Sequence, residues 1–362
     1  MEERHWTLGF SKLSKVGSAT IKKIRDSFGD LEKAWHCKEA NFFIKCGFKK
    51  EFSNFLISEK SKINLEDELA LLKKEDLPFL SIFDKDYPPL LGEISSPPPI
   101  IYYRGNIKLL SEKQLAVVGS RKISSYGRQA IEKIIPELVR AGLIITSGLA
   151  MGVDHYAHQI TLENEGLAVA VLGNGLSEKI MRQTSSYGLY RDIIRQSGIV
   201  ISEFPPFFEA SKFTFPARNR IISGLSLGAL IIEAAEKSGS LITAKHALEQ
   251  GREIFAIPGN IFSPQSAGAN QLLKEGAKCV TGSNDILETF NFSFNLSKKD
   301  PLVSFEDETE EKIYRTLSFD PMPFDLLIKK IQLPPAELSA KISLMELKGL
   351  ARTIDGGRVI KN

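Results

Sequence analysis

The chain has 362 residues, 43% of them hydrophobic and 25% charged, with a net charge of +3. That length exceeds one ordinary core and implies two or three domains, while the balance excludes a disordered or fibrous chain. Cys37, Cys46 and Cys279 form no CxxC pair, which argues against a disulfide framework or a zinc site. The charged Met1–His5 stretch leads into no apolar segment, and no apolar run reaches the ~20 residues of a bilayer span. A soluble cytoplasmic protein is expected, with no metal, no cofactor and no membrane contact.

Residues 1–80 read as short amphipathic helices. Residues 1–50 hold 11 Lys/Arg against 6 Asp/Glu, a surface that either faces phosphates or is simply solvated. Leu13 to Ile21, followed by Ile24 and Phe28 at helical spacing, is similar to a helix-hairpin-helix, whose hairpin amides touch a phosphate without reading bases. Lys12, Lys15, Lys22, Lys23 and Arg25 would support that contact. A purely structural helical module is the equal alternative. The prolines at 88–89 and 97–99 mark an irregular connector.

The next region, residues 81–290, alternates apolar runs with amphipathic stretches. Candidate strands are Leu115–Val118, Leu143–Thr146, Leu167–Leu172, Ile199–Ser202, Ala229–Glu233 and Glu253–Ile257. Each is apolar almost throughout, as in strands buried on both faces of a parallel sheet. Helices are expected over Tyr126–Ala141, with a kink at Pro136, and over Ser240–Gln250. The alternation predicts an α/β fold, an extended Rossmann-like doubly wound sheet. Such sheets hold ligands outside the carboxyl ends of their strands.

Those ends carry the unusual residues. The first strand runs into Gly119-Ser120-Arg121 and then Ser124 to Gly127 opening a helix. Glycine admits close backbone approach, free helix amides favour an anion, and arginine adds a bidentate phosphate donor. Neither a dinucleotide fingerprint nor a Walker loop is present. The second strand ends at Ser147-Gly148-Leu149, continuing to Gly152 and Asp154. Beyond the fourth, Lys212-Phe213-Thr214-Phe215-Pro216-Ala217-Arg218-Asn219-Arg220 alternates cations with aromatics, a pattern suited to a charged backbone and stacked bases. A core role for Phe213 and Phe215 beside solvated charges is the alternative. The fifth strand leads to Glu233 and then Lys237-Ser238-Gly239-Ser240, and the sixth to Pro258-Gly259. With Gly173 and Gly175, five glycine-bearing turns share one edge and suggest a phosphate nest. Expected DNA or phosphate contacts are Gly119, Ser120, Arg121, Gly148, Lys212, Phe213, Phe215, Arg218, Asn219, Ser238 and Gly239, with Arg121 and Arg218 as the primary phosphate ligands.

Residues 291–307 read as a linker. Residues 308–362 read as three helices, Glu310–Leu317, Pro323–Ile331 and Pro335–Leu350, then a ribbon turning at Asp355-Gly356-Gly357, an arrangement that resembles a winged helix. Its third helix carries Glu337, Lys341, Glu346 and Lys348 as its only charges and no Arg, Asn or Gln to pair with bases. A protein-interaction or autoinhibitory role is expected over DNA reading. His155 and His158 are neighbours on a helix without a third metal ligand, and no nucleophile has a base at motif spacing. No catalytic residue is assigned.

The set VGSR…SYG, SGLAMGVDHYAH, ISEFPP, FPARNRIISGLS, EAAEKSGSLITA and FAIPG…GANQLLKEGA resembles the DNA-processing protein A (DprA/Smf) family over about residues 80–285. The resemblance implies an extended Rossmann fold, often preceded by a SAM-like helical module. It also implies single-stranded-DNA binding, transfer of the strand to the recombinase RecA during uptake of foreign DNA, and a homodimer formed through the Rossmann domain. Residues 119–121 and 212–219 match the family's DNA pocket. After Gly175 the chain departs from the family's usual acidic residue and Tyr-Pro pair, so no role is carried onto 176–190. Two rivals stand beside this reading. One is a nucleotide-cleaving phosphoribohydrolase-like enzyme, whose PGGxGTxxE loop is absent at Glu233. The other is a winged-helix regulator of duplex DNA.

Overall fold

The computed structural model describes residues 1–292, 305–318, 321–354 and 356–361. They fall into two compact units, Met1–Phe294 and Asn295–Asn362. Most of the expected linker, residues 293–304, lies outside the described residues.

The first unit is built on nine strands: β1 (Phe79–Ser81), β2 (Ile100–Gly105), β3 (Gln114–Val118), β4 (Ile144–Ser147), β5 (Ala168–Leu172), β6 (Ile199–Ser202), β7 (Gly228–Ile231), β8 (Glu253–Ala256) and β9 (Lys278–Cys279). Their spatial order is β1-β2-β6-β5-β4-β3-β7-β8-β9. From β6 through to β9 every pairing is parallel. The chain winds outward from β3 to β6, returns to the centre, and winds outward again from β7. The order therefore reverses between β3 and β7, and such a switch point opens a crevice beyond the carboxyl ends.

Alternation along β3 explains the layers. Leu115 and Val117 face Ile131, Ile134 and Leu138 of the Ser125–Arg140 helix. Ala116 and Val118 face Ile221 and Ile222 of the Thr214–Leu225 helix. Both faces are covered, so the strand needs apolar residues at every position. The Ser125–Arg140 helix runs through Pro136 without a break in its span.

The expected irregular connector instead contributes β1 and β2, an antiparallel pair that extends the sheet from β6. Ile100, Ile101 and Tyr102 supply a buried apolar run. The three prolines just before them hide that run in the sequence, since proline signals a chain break more strongly than an edge strand.

In residues 1–80, the Glu3–Ser11 and Ser18–Phe28 helices meet at a turn where Lys15 has φ 66°. Trp6, Phe10, Ile21, Ile24 and Phe43 share one core with Tyr102, Leu172 and Val200 of the sheet. Three cations of the hairpin are engaged inside the module. Lys12 pairs with Glu68 at 2.5 Å, Arg25 grips Glu3 at 2.6 and 3.0 Å, and Lys23 donates to the Gly47 carbonyl at 2.9 Å. Lys15 and Lys22 stay exposed.

The second unit packs the Glu308–Thr316, Phe324–Ile331 and Pro335–Leu347 helices around Ile313, Leu327, Leu338, Ile342, Met345 and Val359. A small sheet completes it, with β10 (Met322–Pro323), β11 (Ala351–Ile354) and β12 (Arg358–Lys361) in the order β10-β12-β11. This is a winged-helix arrangement. Asp355, expected in the hairpin turn, lies outside the described residues. The charges near the third helix turn inward. Lys341 pairs with Asp307, Lys348 pairs with Glu306 and Glu310, and Glu346 accepts from the Thr353 amide.

Candidate nucleic-acid interface

A cleft of about 680 Å³ opens at the switch point, lined by Gly119 to Arg121, Ala210 to Lys212, Phe215, Arg218, Asn219 and Lys237 to Ser240. An adjoining cleft of about 270 Å³ is lined by Gly148 to Met151, Gly173, Asn174 and Thr184 to Ser186, and shares Arg121, Ala210 and Phe215 with the first. The ends of β3, β4 and β5 thus converge with the starts of the Thr214–Leu225 and Ser240–Glu249 helices.

The turn after β3 is held between its neighbours. The Ser120 amide donates to the Glu233 carbonyl at 2.8 Å, and the Val153 amide donates to the Ser120 carbonyl at 3.0 Å. A Cβ on Gly119 would meet Val153 Cγ2 at 2.6 Å and the Glu233 carbonyl oxygen at 2.9 Å, so no larger residue fits. The Ser120 hydroxyl is engaged by Gln265 Oε1 at 2.9 Å. Arg121 projects from this fixed turn into solvent, its guanidinium carbon 5.0 Å from the Phe215 ring centroid.

The start of the helix behind that turn is already met by a carboxylate. Buried Glu233 places one carboxylate oxygen 2.9 Å from the Ser124 amide and the other against the Ser124 hydroxyl, while Ser124 Oγ caps Gly127 at 3.1 Å. A protein carboxylate thus already occupies the positive end of the Ser125–Arg140 helix. The Ser124–Gly127 helix start, expected to favour a bound anion, is met by the protein itself.

Arg218 and Gly148 also differ from expectation. Arg218 is 3% exposed. Its Nη1 donates to the Gly148 carbonyl at 2.6 Å and to the Val171 carbonyl, and its Nε donates to Asn219 Oδ1 at 3.2 Å. The Gly148 amide donates to the buried Asp154 carboxylate at 3.1 Å. Arg218 is thus a strut that ties β4 to β5 beneath the cleft, and Gly148 lends both of its backbone groups to that frame. Burial lowers the Arg218 pKa to about 10, partly offset by Asp154, so the strut stays cationic at neutral pH. Burial likewise raises Asp154, opposed by Arg218 and the Gly148 amide.

Of the remaining expected residues, Lys212, Phe215, Asn219, Ser238 and Gly239 line the cleft, whereas Phe213 is not among its lining residues. Lys212 is exposed, with its Nζ 5.1 Å from the Phe213 ring centroid, and Phe213 is 73% exposed. Phe215 is half-buried. These two phenylalanines therefore have different surroundings, a distinction their spacing alone did not make. Asn219 reaches across to the Gly239 carbonyl at 3.3 Å. The Ser238 and Ser240 hydroxyls share a hydrogen at 2.7 Å, and Ser238 Oγ also accepts from the Ser240 amide at 3.3 Å, at the start of the Ser240–Glu249 helix. Lys237, quoted in the motif but not singled out, also lines the cleft. Its signal was a cation directly before a Ser-Gly-Ser helix start. The lining holds Arg121, Lys212, Lys237 and buried Arg218 against the single buried carboxylate of Asp154.

The divergent segment completes the rim. The Ser186 hydroxyl donates to the Leu149 carbonyl at 3.0 Å, and Ser177 caps the Glu178–Met181 helix. Elsewhere, His158 is fully buried, and that burial lowers its pKa to about 3. Among the described residues, no group of three or more His, Cys, Asp or Glu is placed to hold a metal ion. No described helix is long and apolar enough to cross a membrane.

Residues 78–291 match the family model of DNA recombination-mediator protein A, and residues 298–357 match that of the DprA winged helix domain. The chain is similar to the Escherichia coli protein Smf, with 36% identity over 303 residues, 82% of this chain and 80% of Smf. It is also similar to the Streptococcus pneumoniae DNA processing protein DprA, with 43% identity over 227 residues, 62% of this chain and 79% of that protein. The solved structure of Streptococcus pneumoniae DprA aligns with a TM-score of 0.65 and 34% identity, covering 81% of this chain and 99% of that one. A Helicobacter pylori DprA, solved for its single-stranded DNA binding mode, aligns with a TM-score of 0.53 and 28% identity, covering 59% of this chain and 95% of that one.

Proposed function

The chain belongs to the DprA/Smf family of DNA recombination mediators, and from that premise we propose that it binds single-stranded DNA in the switch-point cleft without chemistry. The observation that carries this reading is the cleft wall of exposed Arg121 and Lys212 with half-buried Phe215, beside which exposed Phe213 lies near Lys212. It pairs phosphate donors with faces on which bases stack, and stacking is tolerant of sequence. The Helicobacter pylori relative, solved for its single-stranded DNA binding mode, supports the same ligand. A phosphoribohydrolase-like reaction is disfavoured, because both oxygens of Glu233 accept from Ser124. Duplex reading by the winged helix is disfavoured by the engagement of Lys341 and Lys348 within their own unit.

The bound strand is held for a partner. No nucleotide-hydrolysis loop is present, so strand exchange must be powered elsewhere, and the family points to RecA in the cytoplasm during transformation. Phosphate contacts suit such a loader, which must hold the strand loosely enough to release it, since they are salt-labile and carry no sequence preference. A second copy brings a second cleft and raises its effective concentration. The groove of about 450 Å³ lined by Leu241, Leu248 and Leu272 offers an apolar face for that dimer, with Leu248 69% exposed. The test is the lag of RecA filament formation on DNA coated with single-strand-binding protein. Wild-type protein should shorten the lag, and Arg121→Ala should lose the effect. If the protein binds strands but leaves the lag unchanged, loading is excluded and binding stands.

A further inference from the structure

A groove of about 920 Å³ lies between the Tyr187–Arg195 helix and the end of β2, outside the switch-point cleft, and its walls include Arg104, Arg182, Tyr187, Arg191 and Arg195. We propose that this groove is a second contact for the same DNA strand, taking the sugar-phosphate backbone of nucleotides that leave the cleft. The inference rests on the single-strand reading above and extends it to the segment where the chain departs from its family.

Met181, Thr184, Ser185 and Ser186 line the smaller cleft that contains Arg121 and Phe215. Glu178, Arg182 and Tyr187, interleaved with them in sequence, line the groove. One short stretch is the wall of both, so a strand crossing that rim passes from one to the other.

Tyr187, Arg191 and Arg195 stand at i, i+4 and i+8 and share one helix face. Steps of four residues advance about 6 Å along the axis, close to one nucleotide of an extended strand. An aromatic ring followed by two guanidinium groups therefore repeats the ring-and-cation chemistry of Phe215 and Arg121.

Arg191 lies 6.0 Å from the Tyr187 ring centroid. Arg195 pairs with Asp192 at 2.8 Å with its side chain 75% exposed, and Arg182 pairs with Glu178 at 3.1 Å with its side chain 68% exposed. Exposed pairs of this kind are weak, so a phosphate can displace Asp192 from Arg195, whereas Glu178 is also held by the Tyr187 hydroxyl. Arg104 differs. It is pinned to the carbonyls of Glu75, Asp76 and Leu176 at 2.7, 3.3 and 3.4 Å and gives the groove a fixed positive wall.

The experiment compares salt-dependent binding of two oligothymidylates by the full chain, one of about 6 nucleotides and one of about 20, bracketing the ~4–16 nucleotides that single-strand sites cover. For Arg191→Ala/Arg195→Ala, binding of the short strand should be unchanged. The long strand should lose its extra salt dependence, a slope about 1.4 shallower at ~0.7 per contact. Asp192→Asn removes a competing carboxylate and should tighten the long strand only. A double variant that keeps the wild-type slope on the long strand overturns the groove contact. The cleft assignment is tested separately by Arg121→Ala: if wild-type protein binds neither strand, or Arg121→Ala binds the short strand as tightly as wild type, the cleft assignment fails instead.

Discussion

The guanidinium of Arg121 lies 5.0 Å from the centre of the Phe215 ring, and this pairing organises the exposed side of the cleft. A cation over an aromatic face gains about 0.5–1 kcal/mol at an exposed site. That is enough to bias the arginine toward the cleft and too little to stop it turning to a phosphate. Replacing Arg121 by Ala should therefore leave thermal stability nearly unchanged. Binding should weaken on all sequences alike, and the salt slope should fall by about 0.7. Salt titrations of anisotropy on homopolymers check both statements.

Arg218 should behave in the opposite way. Its guanidinium is buried and bonded to the carbonyls of Gly148 and Val171. Arg218→Ala leaves those acceptors unpaired and Asp154 without its nearby cation, a loss on the order of 3–5 kcal/mol. Urea unfolding measures it. An Arg218→Ala protein of wild-type stability that has lost DNA affinity would show that the arginine is a direct ligand after all.

The two phenylalanines should separate. Phe213 is 73% exposed, so Phe213→Ala should cost about 1–3 kcal/mol of binding if a base stacks on it, with no change in unfolding midpoint. Half-buried Phe215 should affect both quantities. Parallel melting and binding curves on the two variants make the comparison.

Acid should destabilise the fold through His158. Burial holds its pKa at about 3, below the ordinary 6.5, so the folded state prefers the neutral ring. Between those values the unfolded chain binds the extra proton, and stability falls as pH falls by up to about 1.4 kcal/mol per unit. The contribution is complete above pH 6.5 and is lost on the way down to 3. His158→Leu should flatten that limb of a stability-versus-pH curve.

Removing residues 308–362 should leave strand binding by the remaining chain almost intact, because Lys341 and Lys348 are paired within their own unit. A large loss of affinity in a truncated protein with an unchanged circular dichroism spectrum would place part of the site in the winged helix.

Much of the sheet is legible because buried parallel strands announce themselves as apolar runs. Ile199–Ser202 keeps both of its expected ends, and the others shift by a residue or two. β1 and β2 were hidden by the prolines beside them. At the site, the sequence identifies the turns but not the direction of their side chains. Arg218 and Arg220 look equivalent in ARNR, yet on the helix one turns under the cleft and the other grips Glu203 at 2.6 Å through both terminal nitrogens. Nor could spacing reveal that Glu233, 109 residues from Ser124, fills the helix end read as an anion site.

The central claim is that the switch-point cleft holds a single strand through phosphates and stacked bases. The most direct measurement is competitive binding of one fluorescent oligonucleotide against unlabelled single strands and blunt duplex of the same sequence, with wild-type and Arg121→Ala protein. Single strands of different composition should compete within a modest factor of one another and far better than duplex, and Arg121→Ala should weaken them all. Equal competition by blunt duplex, or an Arg121→Ala protein that binds single strands as wild type does, contradicts the claim.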